Sequence, residues 1–265
     1  MMEMSRTILQ VNQLGKTFVD HQGVETQAIK ELNLYAEENE FISIVGPSGC
    51  GKSTFLEIAA GLTGADVGDL RLNIPASSEK APPIGMVFQS YTLFPWLTVE
   101  ENIRFGLKKT NLRTAEKVER TRQLIRQVGL TGFESRYPAQ LSGGMRQRVA
   151  IARALVYQPG LLLMDEPFGA LDSQTRLLMQ ELLLDVWQNN MTTVVFVTHD
   201  VEEAILLSDR IYVMTARPGT VKAELKVDFP RPRRVETVEN SSEFRELRSA
   251  IMELLKEETR RTFNL

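Results

Sequence analysis

Three short apolar runs stand out along the chain: Phe41-Ile42-Ser43-Ile44-Val45, Leu161-Leu162-Leu163-Met164 and Val194-Val195-Phe196-Val197. Each is too short for an ordinary helix and lacks polar alternation, so the pattern predicts strands buried on both faces of a mostly parallel sheet. Helical patterns follow them at about Gly51 to Ala60, Ser173 to Gln188 and Val201 to Leu207, which gives repeated strand-helix units and an α/β architecture. Between about residues 91 and 155 the pattern is helical with no convincing strand, and Thr98 and Glu101 have capping-box spacing. A helical lobe inserted between sheet strands is the simplest arrangement. Ile8-Leu9-Gln10-Val11 and Leu32-Asn33-Leu34 predict a short antiparallel β part at the N-terminal end. Beyond Ala216 the Pro-rich stretch to Pro232 reads as strand and loop. Glu243 to Glu258 then reads as a helix with Phe244, Leu247, Ile251 and Leu254-Leu255 at helical spacing, a stripe that would pack on the chain's own body or on a second copy. The expected division is a main domain over residues 1–235 and a helical tail over 236–265.

Composition narrows the classes. A chain of 265 residues with 43% hydrophobic and 25% charged residues can bury a substantial core and reads as an ordinary globular protein. Its net charge of -3 gives no electrostatic reason to expect a nucleic-acid partner. The lone cysteine, Cys50, rules out an intrachain disulfide. No apolar stretch approaches the roughly 18 residues that span a bilayer, and the first ten residues lack the apolar block of a signal peptide. Any membrane association is therefore expected to run through a partner.

The chemistry begins at Gly46-Pro47-Ser48-Gly49-Cys50-Gly51-Lys52-Ser53-Thr54, which matches G-x-x-x-x-G-K-[ST] between a predicted buried strand and a helix. Glycines let the backbone wrap closely around phosphates, so that its N–H groups and the positive end of the next helix meet negative oxygen. Lys52 would reach the β- and γ-phosphates of ATP, and the Ser53 hydroxyl would ligate Mg²⁺. A mere glycine-rich turn would leave Lys52-Ser53-Thr54 unexplained. Cys50 falls at a variable position of the pattern and is given no side-chain role. Two more polar clusters, Asp165-Glu166 and Thr198-His199, follow the other apolar runs on their carboxyl side, the edge where open α/β sheets bind ligands. Asp165 would hold Mg²⁺ directly or through water, and Glu166 would orient and help deprotonate an attacking water. His199 would contact the γ-phosphate. Singly, such residues are more often ordinary loop or structural groups; their joint occurrence carries the reading.

Leu141-Ser142-Gly143-Gly144-Met145 precedes a helix carrying Arg146-Gln147-Arg148. Locally it reads as a turn and N-cap. With the phosphate loop it resembles the signature of ABC-type ATPases, usually LSGGQ, with Met145 in place of the final Gln. The resemblance covers nearly the whole chain and implies a P-loop NTPase (RecA-like) fold: a mostly parallel core, an N-terminal antiparallel part and the inserted helical lobe. It implies that Phe18 stacks on adenine, although a minor core contact would suit that phenylalanine equally. It further implies that Gln89 senses Mg²⁺ and the membrane partner, that Ala170-Leu171-Asp172 crosses to another subunit, and that Ser142, Gly143 and Gly144 of one subunit cover the phosphate held by the other. Glu38-Asn39-Glu40 stands where the family commonly has Glu-Gly-Glu, and Asn tolerates the positive φ of that turn. Residues 69–83, with Pro75, Pro82 and Pro83, are less regular than the hairpin usual there.

Leu93-Phe94-Pro95-Trp96, Met145-Arg146-Gln147-Arg148, Arg217-Pro218-Gly219 and Pro230-Arg231-Pro232-Arg233 look like importers of nitrate, sulfonates, taurine and related small anions. That resemblance implies an ATP-hydrolysing subunit on the cytoplasmic face of the cell membrane. Its partners would be a second ATPase, identical or paralogous, the transmembrane permease subunits and, indirectly, a substrate-binding protein. Trp96 is either an anchor for the permease or packing inside the helical lobe. An exporter or lipid-extraction ATPase shares every catalytic residue and is opposed only by these branch motifs. A soluble ABC protein acting on ribosomes or DNA is opposed by the single cassette and the lack of a long coiled coil, and a non-hydrolysing regulator by Asp165, Glu166 and His199. Cargo is not legible, because selectivity in such systems belongs to other subunits.

Overall fold

The computed structural model describes residues 6–75 and 79–263. In chain order the elements are β1 (Thr7–Val19), β2 (Glu25–Glu37), β3 (Phe41–Val45), α1 (Lys52–Ala59), β4 (Val67–Leu72), β5 (Ile84–Val87), α2 (Val99–Phe105), α3 (Thr114–Gln127), α4 (Gly143–Leu155), β6 (Leu161–Asp165), α5 (Ser173–Asn190), β7 (Thr193–Thr198), α6 (Val201–Leu207), β8 (Arg210–Met214), β9 (Val221–Lys226), α7 (Val235–Glu239) and α8 (Ser242–Phe263). They form two compact units, one holding the described residues of Met1–Asn73 and Thr193–Leu265, the other those of Ile74–Thr192.

In the first unit β3 pairs in parallel with β7 on one side and β8 on the other, and β9 adds antiparallel to β8. Every residue of β3 and β7 is buried, which is why both runs are apolar without alternation. The N-terminal part is antiparallel, with β1 between β2 and β4. Between β2 and β3 the chain turns through Asn39 at φ 62, the left-handed conformation that Asn accepts more readily than other non-glycine residues. Helix α6 packs on β3 and β7, and α8 packs on α6 and β8. Phe244 and Ile251 are buried there, so the apolar stripe of the tail covers this unit's own body. Arg248 adds an ion pair to Glu202 of α6 at 2.7 Å.

The second unit pairs β5 with β6 in parallel, in the register Ile84↔Leu161 to Val87↔Met164. Between these strands the described residues form α2, α3, a 3-10 turn at Pro138–Gln140 and α4, with no strand. The capping box closes as its spacing predicts: Glu101 N–H donates to Thr98 Oγ1 at 3.3 Å and Thr98 N–H to Glu101 Oε2 at 2.9 Å. Of the irregular stretch 69–83, residues 76–78 lie outside the described residues, while Glu79 makes a two-pronged pair with Arg120 of α3 at 2.6 and 2.8 Å. Among the described residues no helix is long and apolar enough to cross a membrane.

Candidate functional site

In each unit the carboxyl ends of parallel strands collect polar residues singled out by sequence. In the first, Val45 at the end of β3 lies beside Thr198 at the end of β7 and Val213 of β8. The loop from Gly46 and the residue His199 therefore leave neighbouring parallel strands on the same carboxyl edge. The loop curls back because Gly49 and Gly51 take φ of 75° and 99°, and a Cβ at Gly51 would lie 2.9 Å from the Ala28 carbonyl oxygen of β2. Lys52 opens α1 only 6% exposed, its Nζ donating to the carbonyls of Gly46 at 2.9 Å and Pro47 at 3.2 Å. A cation held under its own loop, with glycine backbone above it, is chemistry suited to a polyphosphate. Burial pushes the Cys50 thiol up despite the nearby Lys52 charge, which favours the protonated form at neutral pH.

His199 is exposed and held by a short polar frame. Thr198 Oγ1 donates to Glu203 Oε2 at 2.5 Å and accepts from Asp200 N–H at 3.0 Å. The Asp200 side chain in turn caps α6 through the N–H groups of Glu202 and Glu203. Phe18 belongs to the same unit. It pairs with Thr26, two residues along β2 from the Ala28 carbonyl that lies under Gly51; the residue is 43% exposed, with Lys16 Nζ 5.5 Å from its ring centroid. The alternative of a core contact for Phe18 is not what this exposure describes.

In the second unit the register of β5 and β6 sends Gln89 and the pair Asp165-Glu166 off one carboxyl edge. Glu166 sits at φ 40, a left-handed conformation uncommon for a side chain of its size, in a turn closed by Gly169 N–H donating to the Glu166 carbonyl at 3.1 Å. Asp172 caps α5 by accepting from Thr175 N–H at 3.0 Å, and that bond holds its carboxyl below the usual carboxylate range. Ser142 caps α4, its Oγ accepting from Met145 N–H at 3.3 Å. Gly143 and Gly144 lie against Tyr91, Leu171 and Thr175, where a Cβ on Gly144 would meet Thr175 Cγ2 at 2.7 Å. The signature turn is thus packed between the segment after Gln89 and the turn that ends in Asp172.

One residue of this unit escaped the sequence reading. Asn102 is fully buried, and its side chain accepts from Phe94 N–H and donates to the carbonyls of Phe94, Leu97 and Thr98 at 2.9 to 3.2 Å. It fixes the loop that presents Phe94 and Trp96. Phe94 stacks with Phe105 at 4.5 Å and Trp96 at 5.6 Å, and Arg153 covers its face at 5.5 Å. Trp96 itself is 70% exposed, which removes the reading of it as packing inside the lobe. The only signal in the sequence was an Asn between the apolar Val99 and Ile103 of an amphipathic helix.

In the second unit Gln89 and Asp165 offer an amide carbonyl and a carboxylate, and in the first unit Ser53 offers a hydroxyl; each is a hard oxygen donor of the kind Mg²⁺ takes. Among the described residues no group of three or more His, Cys, Asp and Glu is placed to hold a metal ion.

The family profile described as "ABC transporter" matches residues 29–169. An aliphatic sulfonates import ATP-binding protein of Bacillus cereus is 43% identical over 243 residues, 92% of this chain and 94% of the relative. A nitrate import ATP-binding protein of Synechocystis is 45% identical over 222 residues, 84% of this chain and 83% of the relative. Among solved structures, a dimeric post-hydrolysis state of an ATP-binding cassette bound to ADP and phosphate superposes with a TM-score of 0.72 at 33% identity, over 84% of this chain and all of that one.

Proposed function

Since this chain belongs to the ABC transporter family, as one of its ATP-hydrolysing subunits, we propose that it powers uptake of a small anion through a transmembrane partner, from the cytoplasmic face of the membrane. The observation that carries the mechanism is the phosphate loop at the end of β3, with Lys52 buried beneath it and His199 leaving the adjacent strand. When ATP binds, the Lys52 ammonium exchanges its two loop carbonyls for β- and γ-phosphate oxygens, and the N–H groups at the start of α1 face the same charge. Phe18 offers an exposed aromatic face to the adenine. Ser53, Asp165 and Gln89 would hold Mg²⁺, which neutralises phosphate charge when bound. Glu166 orients the attacking water and accepts its proton, and His199 donates to the γ-phosphate. Ser142, Gly143 and Gly144 of a second subunit complete each site, and Asp172 lies on the turn that crosses between subunits. The ATPase domain in this reading runs over residues 1–235 and the tail over 236–265.

The anion cargo is supported by the sulfonate and nitrate importers among the relatives and by the branch motifs. The permease interface is supported by the exposed Trp96 on its Asn102-braced loop, since tryptophan is enriched among residues that dominate binding energy. Purification from detergent-solubilised membranes of the source cell is expected to bring down a permease pair with the chain. Trp96→Ala should reduce the amount recovered by about tenfold or more, in line with an interface hot spot. Recovery of no membrane protein, or equal recovery by wild type and Trp96→Ala, contradicts the transport assignment or the interface respectively.

A further inference from the structure

The segment joining β8 to β9 touches the phosphate loop on one side and the tail helix on the other. It is a closed turn: Thr215 N–H donates to the Thr220 carbonyl at 2.9 Å, and Thr215 Oγ1 donates to the Pro218 carbonyl at 2.9 Å and accepts from Thr220 N–H at 3.0 Å. Gly219 fastens it to β2, donating to the Ala28 carbonyl at 2.9 Å and accepting from Lys30 N–H at 3.0 Å. A Cβ at Gly219 would collide with the Cys50 carbonyl, so only glycine lets the turn lie this close to the phosphate loop. At the tip of the turn, Arg217 Nε donates to the Gly49 carbonyl at 3.3 Å, and its Nη2 lies 3.2 Å from where a Gly49 Cβ would stand. The Gly49–Cys50 peptide is thereby held from both ends, because Cys50 N–H also donates to the Pro47 carbonyl at 3.3 Å.

The base of the same turn is held by the tail. Glu258 of α8 is 1% exposed, and its Oε2 accepts from Ala216 N–H at 3.0 Å, next to Arg217. Its Oε1 accepts from Lys222 Nζ at 2.7 Å and Arg261 Nη1 at 3.2 Å, and Lys222 also reaches Glu257 and the Leu254 carbonyl. Burial would raise the Glu258 carboxyl, but these donors outweigh it and keep the group below its ordinary range, so the clamp is charged at neutral pH.

We propose that Arg217 is a positioning residue for the phosphate loop, and that the C-terminal helix holds it in place through the Glu258 contact to Ala216. The inference rests on the reading of Gly46 to Thr54 as the nucleotide site. A loop whose glycines are held before phosphate arrives loses less backbone freedom on binding, so the contact strengthens nucleotide binding and leaves the chemical step to other groups. The tail thereby gains a route by which anything that lifts α8 weakens nucleotide affinity.

The test is a titration of wild type, Arg217→Ala, Arg217→Lys, Glu258→Gln and Arg217→Ala/Glu258→Gln with a fluorescent ATP analogue, alongside steady-state phosphate release. Arg217→Ala is expected to raise Kd and KM for nucleotide by about three- to tenfold, the range of one net hydrogen bond, with kcat within about twofold. Arg217→Lys should recover part of the loss. The double variant should bind no more weakly than Arg217→Ala alone, because both changes act through one turn. Wild-type affinity in Arg217→Ala, a loss confined to kcat, or additive losses in the double variant overturns the proposal. Failure of the wild-type chain to bind the analogue would instead overturn the nucleotide site itself, and a thermal melt of each variant separates either result from unfolding.

Discussion

Glu166→Gln is expected to bind Mg-ATP with affinity close to wild type and to lose about 10²- to 10⁴-fold in turnover, the usual contribution of a positioned general base. Glutamine keeps the length and shape of the side chain, so the turn at φ 40 and its Gly169 bond should survive, while the group that takes a proton is gone. Nucleotide contacts made only by a closed pair of subunits would then persist, and the variant should accumulate as a dimer on size exclusion in Mg-ATP. Turnover within about threefold of wild type would remove Glu166 from its role.

Lys52→Ala acts earlier in the cycle. Its ammonium sits under the loop with two carbonyl partners that phosphate oxygens would replace, and one hydrogen bond to a charged group contributes about 1.5 to 3 kcal/mol net. Nucleotide affinity should fall by about 10- to 100-fold, since each 1.4 kcal/mol is a factor of ten. Equilibrium titration measures it, and circular dichroism checks that the loop carbonyls left behind do not unfold the unit. Affinity equal to wild type would place the phosphates elsewhere.

Much of this was legible in sequence because the informative features are local. The runs at Phe41, Leu161 and Val194 announce strands β3, β6 and β7 by unbroken apolar character alone, and the phosphate loop, Thr98-Glu101 and Ser142 are spacings within one turn or cap. What stayed hidden depends on contacts between distant segments. Asn102 looks like an ordinary helix residue until Phe94, Leu97 and Thr98 present their backbone to it. Arg217 read only as part of a branch motif, since nothing in sequence places it against Gly49, 168 residues away. The tail stripe showed a helix that must bury one face without saying which surface would receive it. Helix α7, five residues long, is too short to show a period.

The composite site, in which Ser142 and two glycines of one copy complete the phosphate site of another, is the claim on which the motor depends. Phosphate release by the purified wild-type chain, measured across a wide range of protein concentration at saturating Mg-ATP, tests it most directly. Specific activity should climb with concentration and level off once subunits are paired. A constant specific activity down to concentrations where the chain sediments as a monomer, or no phosphate release at any concentration, would contradict it.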